Sequence, residues 1–523
     1  MKNTLRNILL GGLAVTMIAS CDLNLVPSTS IVYEEGTRLL LSKRDITEFQ
    51  NGVIASYRGL HYGSSWQTVE VMTECFNATV DFGNNYGFVH RLGSGFLASD
   101  DYTTGIWAGH YSAIKNYNIA IEQCGMVEDE TLEADANLLK GIALFCRASS
   151  YLTLARHFSA DYDPATAETE LSVPLILVYD QFEKPVRATL KEVYDQILAD
   201  LDEAEALLEE AAANGPIVLN GNPEEGKLNL AGQPRAVAPT VDAVKALKAR
   251  YYLDVHEYEF AANTAMDVIE SEAGYALSST LEDMDKEFMT DNGNESIIRL
   301  YASKSEGLVG CTIYTNVQST KEDGKYFSPM FIPSQTIVNA YDNSDLRKQA
   351  WFPVDIYPVR IQGTFYEGIA MFTKYIGNPT LQEGNNEDGR HFCKPLMIAE
   401  MYLIAAEAYA QDGNEAEAKD ILNELQSARK AVPTGGDLES VKKEWLRETI
   451  GDGQRINCIK RWGDGLPARP AQVAAENIVM NTPVSDYTGR ALAADSHTLV
   501  WPIPSYEIKI SPELIQNPGY SAE

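Results

Sequence analysis

The chain has 523 residues, 45% of them hydrophobic and 22% charged, with 74 acidic residues against 42 basic ones and a formal net charge of −32. This composition supports buried cores and excludes disorder as the dominant state. The negative field repels phosphate backbones, which argues against nucleic-acid partners, and it weakly disfavours strongly anionic ligands.

The first twenty residues read as a signal peptide outside the fold. Lys2 and Arg6 form a positive region, and Ile8 to Ser20 supply an apolar run too short to span a bilayer as a stable helix. Ile18-Ala19-Ser20-Cys21 looks like a bacterial lipobox, in which the Cys21 thiol takes a diacylglyceryl group and acyl chains such as palmitate hold the protein on a membrane. Removing residues 1–20 leaves 40 basic and 74 acidic residues, a charge of −34. No later segment reaches eighteen uninterrupted apolar residues, so no spanning helix is expected. Residues 21–40 read as a lipidated tether. The remaining cysteines, Cys75, Cys124, Cys146, Cys311, Cys393 and Cys458, form no CxxC pair and read as isolated buried thiols, with a Cys124–Cys146 disulfide left open.

From Lys43 to Leu60, apolar residues recur at three and four (Ile46, Phe49, Val53, Ile54, Tyr57), which predicts the first helix. Between His61 and Thr104 the periodicity fails and aromatics crowd among glycines and asparagines; a long irregular stretch of this kind is more often functional than idle. Helical pattern resumes over Ile106–Cys124 and Leu132–Phe158. Thr189-Leu190-Lys191-Glu192 is a capping box opening a five-turn amphipathic helix through Leu208. Asn214 to Pro239, rich in Gly, Pro and Asn, reads as a connector with a small hairpin.

Two later helix pairs share one spacing. Ala249, Tyr252 and Ala261 fall at offsets of zero, three and twelve, and Ala406, Tyr409 and Ala418 repeat them around a Gly413-Asn414 turn. Small residues at a helix crossing, an aromatic between and a tight turn predict tetratricopeptide-like hairpins. From Asn294 to Phe392 lies a second irregular, aromatic-bearing region, opened by the strand-like Ile297–Tyr301.

GxxxxGK[ST], HExxH and GxSxG are all absent, while catalytic carboxylates leave no linear signature, so a glycosidase stays open. The clusters Asp291–Glu295 and Asp342–Asp345 carry oxygen ligands suited to calcium without the twelve-residue EF-hand spacing, and turn chemistry explains both.

The whole order of motifs resembles the SusD/RagB family. After the lipobox come Asp22-Leu23-Asn24 and Pro27, then Trp107, Tyr111, Ile114 and Asn118, then Arg147-Ala148, Tyr151 and Phe158, then Val173-Pro174-Leu175 and Arg187. The segment Pro395-Leu396-Met397 through Glu400 to Ala408 follows, then Arg447-Glu448, Asp452-Gly453 (Asp where Glu is commoner), Arg455 and Lys460-Arg461-Trp462-Gly463, and finally Trp501-Pro502-Ile503-Pro504 and Asn517-Pro518-Gly519-Tyr520. The resemblance implies a mainly α, tetratricopeptide-like scaffold (SusD-like fold) with an inserted irregular, loop-rich ligand-binding part and minor β structure, divided into an N-terminal region 41–230 and a C-terminal region 231–523. It implies a non-catalytic surface lipoprotein of the outer membrane that captures a glycan and passes it to a SusC-like TonB-dependent transporter, without a cofactor. Peptide capture and, further off, a surface glycoside hydrolase are the alternatives. Arg147, Arg455 and Glu407 are expected to tie helices together.

Sugars present C–H faces and hydroxyl edges, so a capture site needs flat aromatics and a few polar groups. The family places ligand near loops in comparable parts of the chain. The candidates are therefore Trp66, Asn77, Asp81, Tyr86 and Arg91 from the first irregular region and Tyr314, Tyr326 and Phe327 from the second.

Overall fold

The structure, a computed structural model, describes residues 36–62, 67–180, 184–219, 227–469, 478–479 and 491–521. Cys21, the signal region and Trp66 lie outside the described residues.

Helix α1 (Lys43–Leu60) starts where Ser42 caps the amide of Asp45, and it buries Ile46, Val53 and Tyr57 at the expected spacing. Helix α2 (Asp101–Cys124) begins five residues earlier than its periodicity predicts. The polar first turn carries no apolar stripe, and the start is fixed instead by Asp100, whose carboxylate accepts from the amides of Tyr102 and Thr103. Helix α3 (Glu133–Phe158) is buried almost all round. Length and composition would let it cross a bilayer, but α1, α2 and α4 (Leu190–Ala213) enclose it as the axis of the N-terminal part. The capping box forms at the start of α4: the Thr189 hydroxyl accepts from the Glu192 amide, and Glu192 accepts from the Thr189 amide at 2.8 Å. Arg147 of α3 locks this bundle with Nε and Nη2 on Asp200 of α4 (2.8 and 2.7 Å) and Nη1 on Asn118 of α2 (2.9 Å). In the connector after α4, Ile217 and Leu228 exchange backbone hydrogen bonds in an antiparallel bridge, and residues 220–226 of the expected hairpin lie outside the described residues.

The repeated spacing marks two helical hairpins. Helices α5 (Val241–Asp254) and α6 (Tyr258–Ile269) form one, and α7 (Ile398–Gln411) and α8 (Glu415–Ala428) the other, with α7 packed on α6. Ala249, Ala261, Ala406 and Ala418 are fully buried, so the small residues let the backbones approach, and Gly413 takes the left-handed φ (+80°) of the second turn. Helices α9 (Leu438–Thr449) and α10 (Arg455–Arg461) close the scaffold. Buried ion pairs stitch these elements: Arg429 of the segment after α8 to Glu295 and Glu448, and Arg461 to Glu407, which also accepts from the Trp462 indole at 2.8 Å. Such pairs are strongly destabilising to break singly because the remaining charge is stranded.

The two Asp/Asn clusters are structural. Asp291 is paired with Lys394 and accepts from Asn378 Nδ2 (2.8 Å) and the Phe392 amide (3.0 Å), while Asp345 caps the helix Leu346–Trp351 and holds the Arg347 guanidinium. Among the described residues no group of three or more metal-ligating side chains occurs, and the six cysteines after Cys21 are free thiols.

Candidate functional site

The irregular regions contain short strands whose partners are far away in sequence. Strand β1 (Phe76–Ala78) pairs antiparallel with a strand at Phe331–Pro333, bringing Asn77 opposite Ile332. Beyond it Thr79 donates its amide to Met330 O and its hydroxyl to Pro329 O, both at 2.8 Å. The two regions singled out from the sequence therefore form one unit.

The second region builds a four-stranded sheet from Val317–Thr320, Gly324–Phe327, Val359–Ile361 and Thr364–Tyr366, in that order. Alternation divides its faces. Val317, Phe327, Val359 and Ile361 point into a small core with Ile332, Met371 and Ile376. The opposite face carries Gln318 across from Tyr326, and Arg360 across from Phe365. The last two strands join through Gln362 and Gly363, both at positive φ (+48° and +78°), the geometry of a two-residue hairpin turn. Asp81 of the first region accepts from the Gln362 amide at 2.7 Å and fixes this turn.

On the outer face Phe365 is 41% exposed. Its ring meets Tyr326 edge-on at 5.6 Å, and the Arg360 guanidinium lies 5.4 Å from the Tyr326 ring and 5.7 Å from the Phe365 ring. Arg360 Nη1 donates to the Tyr326 hydroxyl at 3.1 Å, and no carboxylate pairs with Arg360 among the described residues. An exposed ring, a guanidinium edge and the Gln318 amide thus share one surface. In the first irregular region, Phe88 is a further exposed ring, with the Arg91 guanidinium 5.0 Å from its centroid and Arg91 also donating to Asn84 Oδ1 at 2.9 Å.

The sequence candidates divide accordingly. Tyr326 lies under the exposed face and Asp81 braces it, while Arg91 sits beside Phe88. Tyr86 is half-buried, at φ +54°, edge-on to Tyr102 at 5.7 Å. Asn77, Tyr314 and Phe327 are buried: Asn77 within the β1 pairing, Tyr314 packed on Phe76 and Phe372 with its hydroxyl donating to Gln67 O at 2.6 Å, and Phe327 in the small core. In this geometry those three pin the loops and present no ring face or amide to a ligand. Arg360 and Phe365 were absent from the sequence candidates. The available signal was a pair of alternating triplets around Gln362-Gly363, which marks a hairpin and hence two outward residues.

The first region is wired to the scaffold from below. In the 3₁₀ turn Gln67–Met72, Glu70 accepts from the Gly453 amide at 3.0 Å, and burial, then the Asp452 and Glu74 carboxylates, push its carboxyl up to about 8. Glu74 holds Arg455 of α10 at 2.6 Å.

Two family models match successive parts of the sequence, one described as "Starch-binding associating with outer membrane" over residues 29–219 and one as the SusD family over residues 270–520. The chain belongs to the SusD/RagB family. A SusD superfamily protein from Bacteroides thetaiotaomicron superposes with a TM-score of 0.70 at 22% identity, covering 90% of this chain and 99% of that one. A putative sugar-binding protein from Bacteroides vulgatus gives 0.71 at 23%, covering 93% and 100%. A laminarin-binding SusD-like protein gives 0.67 at 19%, covering 91% and 99%. No curated protein sequence matches the chain. In this SusD/RagB protein the motifs quoted from the sequence are structural: Arg147, Glu407 and Arg455 tie elements together, and Lys460 donates to the Arg156 and Ser159 carbonyls at 2.6 Å. Asp452, at the position where Glu is commoner, accepts from Lys374 (2.9 Å) and the Tyr375 hydroxyl (2.7 Å).

Proposed function

We propose that the protein is a non-catalytic outer-membrane lipoprotein, anchored at the cell surface through Cys21, that captures a glycan and delivers it to a SusC-like TonB-dependent transporter. The observation that carries this reading is the outer face of the four-stranded sheet. There Phe365 offers a platform for the C–H face of a sugar, Arg360 and Gln318 offer hydrogen-bonding edges beside it, and the buried Tyr326 supports Arg360 from beneath. Such a face is open, which suits a chain longer than any enclosed pocket admits. Membership of the SusD/RagB family, the outer-membrane description of the matching model and the laminarin-binding relative support the ligand class and the location. The lipobox supports the anchor. Screening the mature protein on a glycan array and a peptide array, then incubating it with each glycan hit and assaying for new reducing ends, tests the reading. Saturable binding without turnover is expected. Turnover above a buffer control would establish a hydrolase, and hits confined to peptides would establish peptide capture.

A further inference from the structure

A cavity of about 440 Å³ lies inside the scaffold, walled by α1, α2 and α3 on one side and by α5, α7 and α9 on the other. Gly59, Asp101 and Gly105 are the exposed members of its wall, so its mouth lies between the last turn of α1 and the first turns of α2. Its volume falls within the ordinary range of small-molecule sites.

The chemistry of the wall selects against ions. Every cation that lines it is already matched: Arg250 holds Glu400 through two bonds (2.7 and 2.6 Å), Lys374 holds Asp452, Lys394 holds Asp291, and Arg156 lies 2.9 Å from Asp254. Apart from the Asp101 carboxylate at the mouth, what remains of the wall is neutral. His110 and His157 are 5% and 7% exposed, and burial holds both imidazoles below their usual range, His110 at about 4, so both are uncharged at neutral pH. Nδ1 of each ring and Oδ1 of Asn457, all buried in this wall, have no hydrogen-bond partner among the described residues. Unspent buried hydrogen-bonding atoms in a roomy cavity are matched either by water or by a ligand rich in hydroxyls. Tyr86 and Tyr102 add aromatic surface near the mouth.

We propose that this cavity is a second binding site, separate from the sheet face, for a small neutral polyhydroxylated molecule of mono- or disaccharide size. A sugar hydroxyl both donates and accepts, so it satisfies a neutral imidazole of either tautomer and an amide oxygen together, which neither an ammonium nor a carboxylate does. Tyr86 belongs to the 79–91 segment that Asp81 fixes to the sheet, so one loop borders both sites.

Titration of the full mature chain with glucose and with maltose, followed by calorimetry and ligand-observed NMR, tests this, with glucuronate as the charged comparator. Saturable binding of at least one neutral sugar is expected, with glucuronate markedly weaker. At Gly105 a Cβ meets nothing within 4 Å among the described residues, so Gly105→Phe adds bulk at the mouth without a clash at its Cβ. This variant should melt like the parent, weaken the small-sugar affinity by roughly tenfold or more and leave capture at the sheet face unchanged. His110→Leu, checked for folding by its melting temperature, should weaken the same binding. Phe365→Ala should not. The proposal is overturned if the parent binds neither neutral sugar, if glucuronate binds as well as they do, or if Gly105→Phe retains small-sugar binding that Phe365→Ala abolishes. The last pattern would leave the sheet-face reading intact, whereas loss of oligosaccharide capture alone would touch only that reading.

Discussion

Truncating Phe365 to alanine removes the one ring that the sheet offers directly to solvent beside Arg360. A phenylalanine side chain presents ~200 Å², and Phe365 is 41% exposed, which leaves ~80 Å² for a ligand to cover. At ~25 cal/mol per Å² that area is worth ~2 kcal/mol, an upper figure because a sugar covers one face and not the rim. Phe365→Ala should therefore weaken binding of an array-identified oligosaccharide by roughly 5- to 30-fold. The assay is isothermal titration of the parent and the variant with the same oligosaccharide, beside thermal melts of both. Because Phe365 lies on the open side of an edge strand, the melting temperature should move little. Unchanged affinity in a folded variant would refute the stacking argument and move the site off this face.

Asp200→Ala strands the buried Arg147 guanidinium and should destabilise the fold by about 3–5 kcal/mol, seen in denaturant midpoints, while Arg147→Met with Asp200→Leu should recover most of that loss. Glu70 has an ordinary carboxyl value of 4.5 and a folded value raised to about 8. Between these pH values the unfolded chain has released a proton that the folded chain still holds, so stability falls as pH rises through that window. Glu70→Gln removes the proton and should melt like the parent near pH 4.5 but above it at pH 8; equal pH dependence would show that Glu70 is not held neutral. Cys21→Ala should give an exported soluble protein, and variant protein that still fractionates with outer membranes in cells lacking the transporter would contradict the lipid anchor. Deleting residues 24–36 should impair uptake more than ligand binding, as tens of ångströms of tether are lost at ~3.3 Å per residue; intact uptake would exclude the tether as a leash.

What the sequence made legible was local. The span of α1, the capping box at Thr189 and the paired alanine spacing of the two hairpins depend on contacts within one or two turns, so periodicity exposes them. Helix α2 shows the limit, since its polar first turn is fixed by the single cap Asp100. The candidate site depends on register between strands of three or four residues. Whether Tyr326, Phe327 or Phe365 faces outward is decided by which strand lies beside which, and a one-residue slip exchanges core for surface. Composition placed aromatics in the two segments that the fold joins, but a ring that pins a loop, such as Tyr314, has the same signature as one displayed to solvent. The joining of the two segments, through the β1 pairing and the Asp81 bond to Gln362, is a long-range fact with no local sign.

Hydrogen exchange of the mature protein, with and without its array-identified oligosaccharide, locates the captured glycan on the fold. Glycan capture at the sheet face should slow amide exchange in residues 359–366 and in the 79–91 segment braced against them, and leave the α5–α6 hairpin unchanged. Protection confined to other parts of the chain, or none at saturating oligosaccharide, would contradict it.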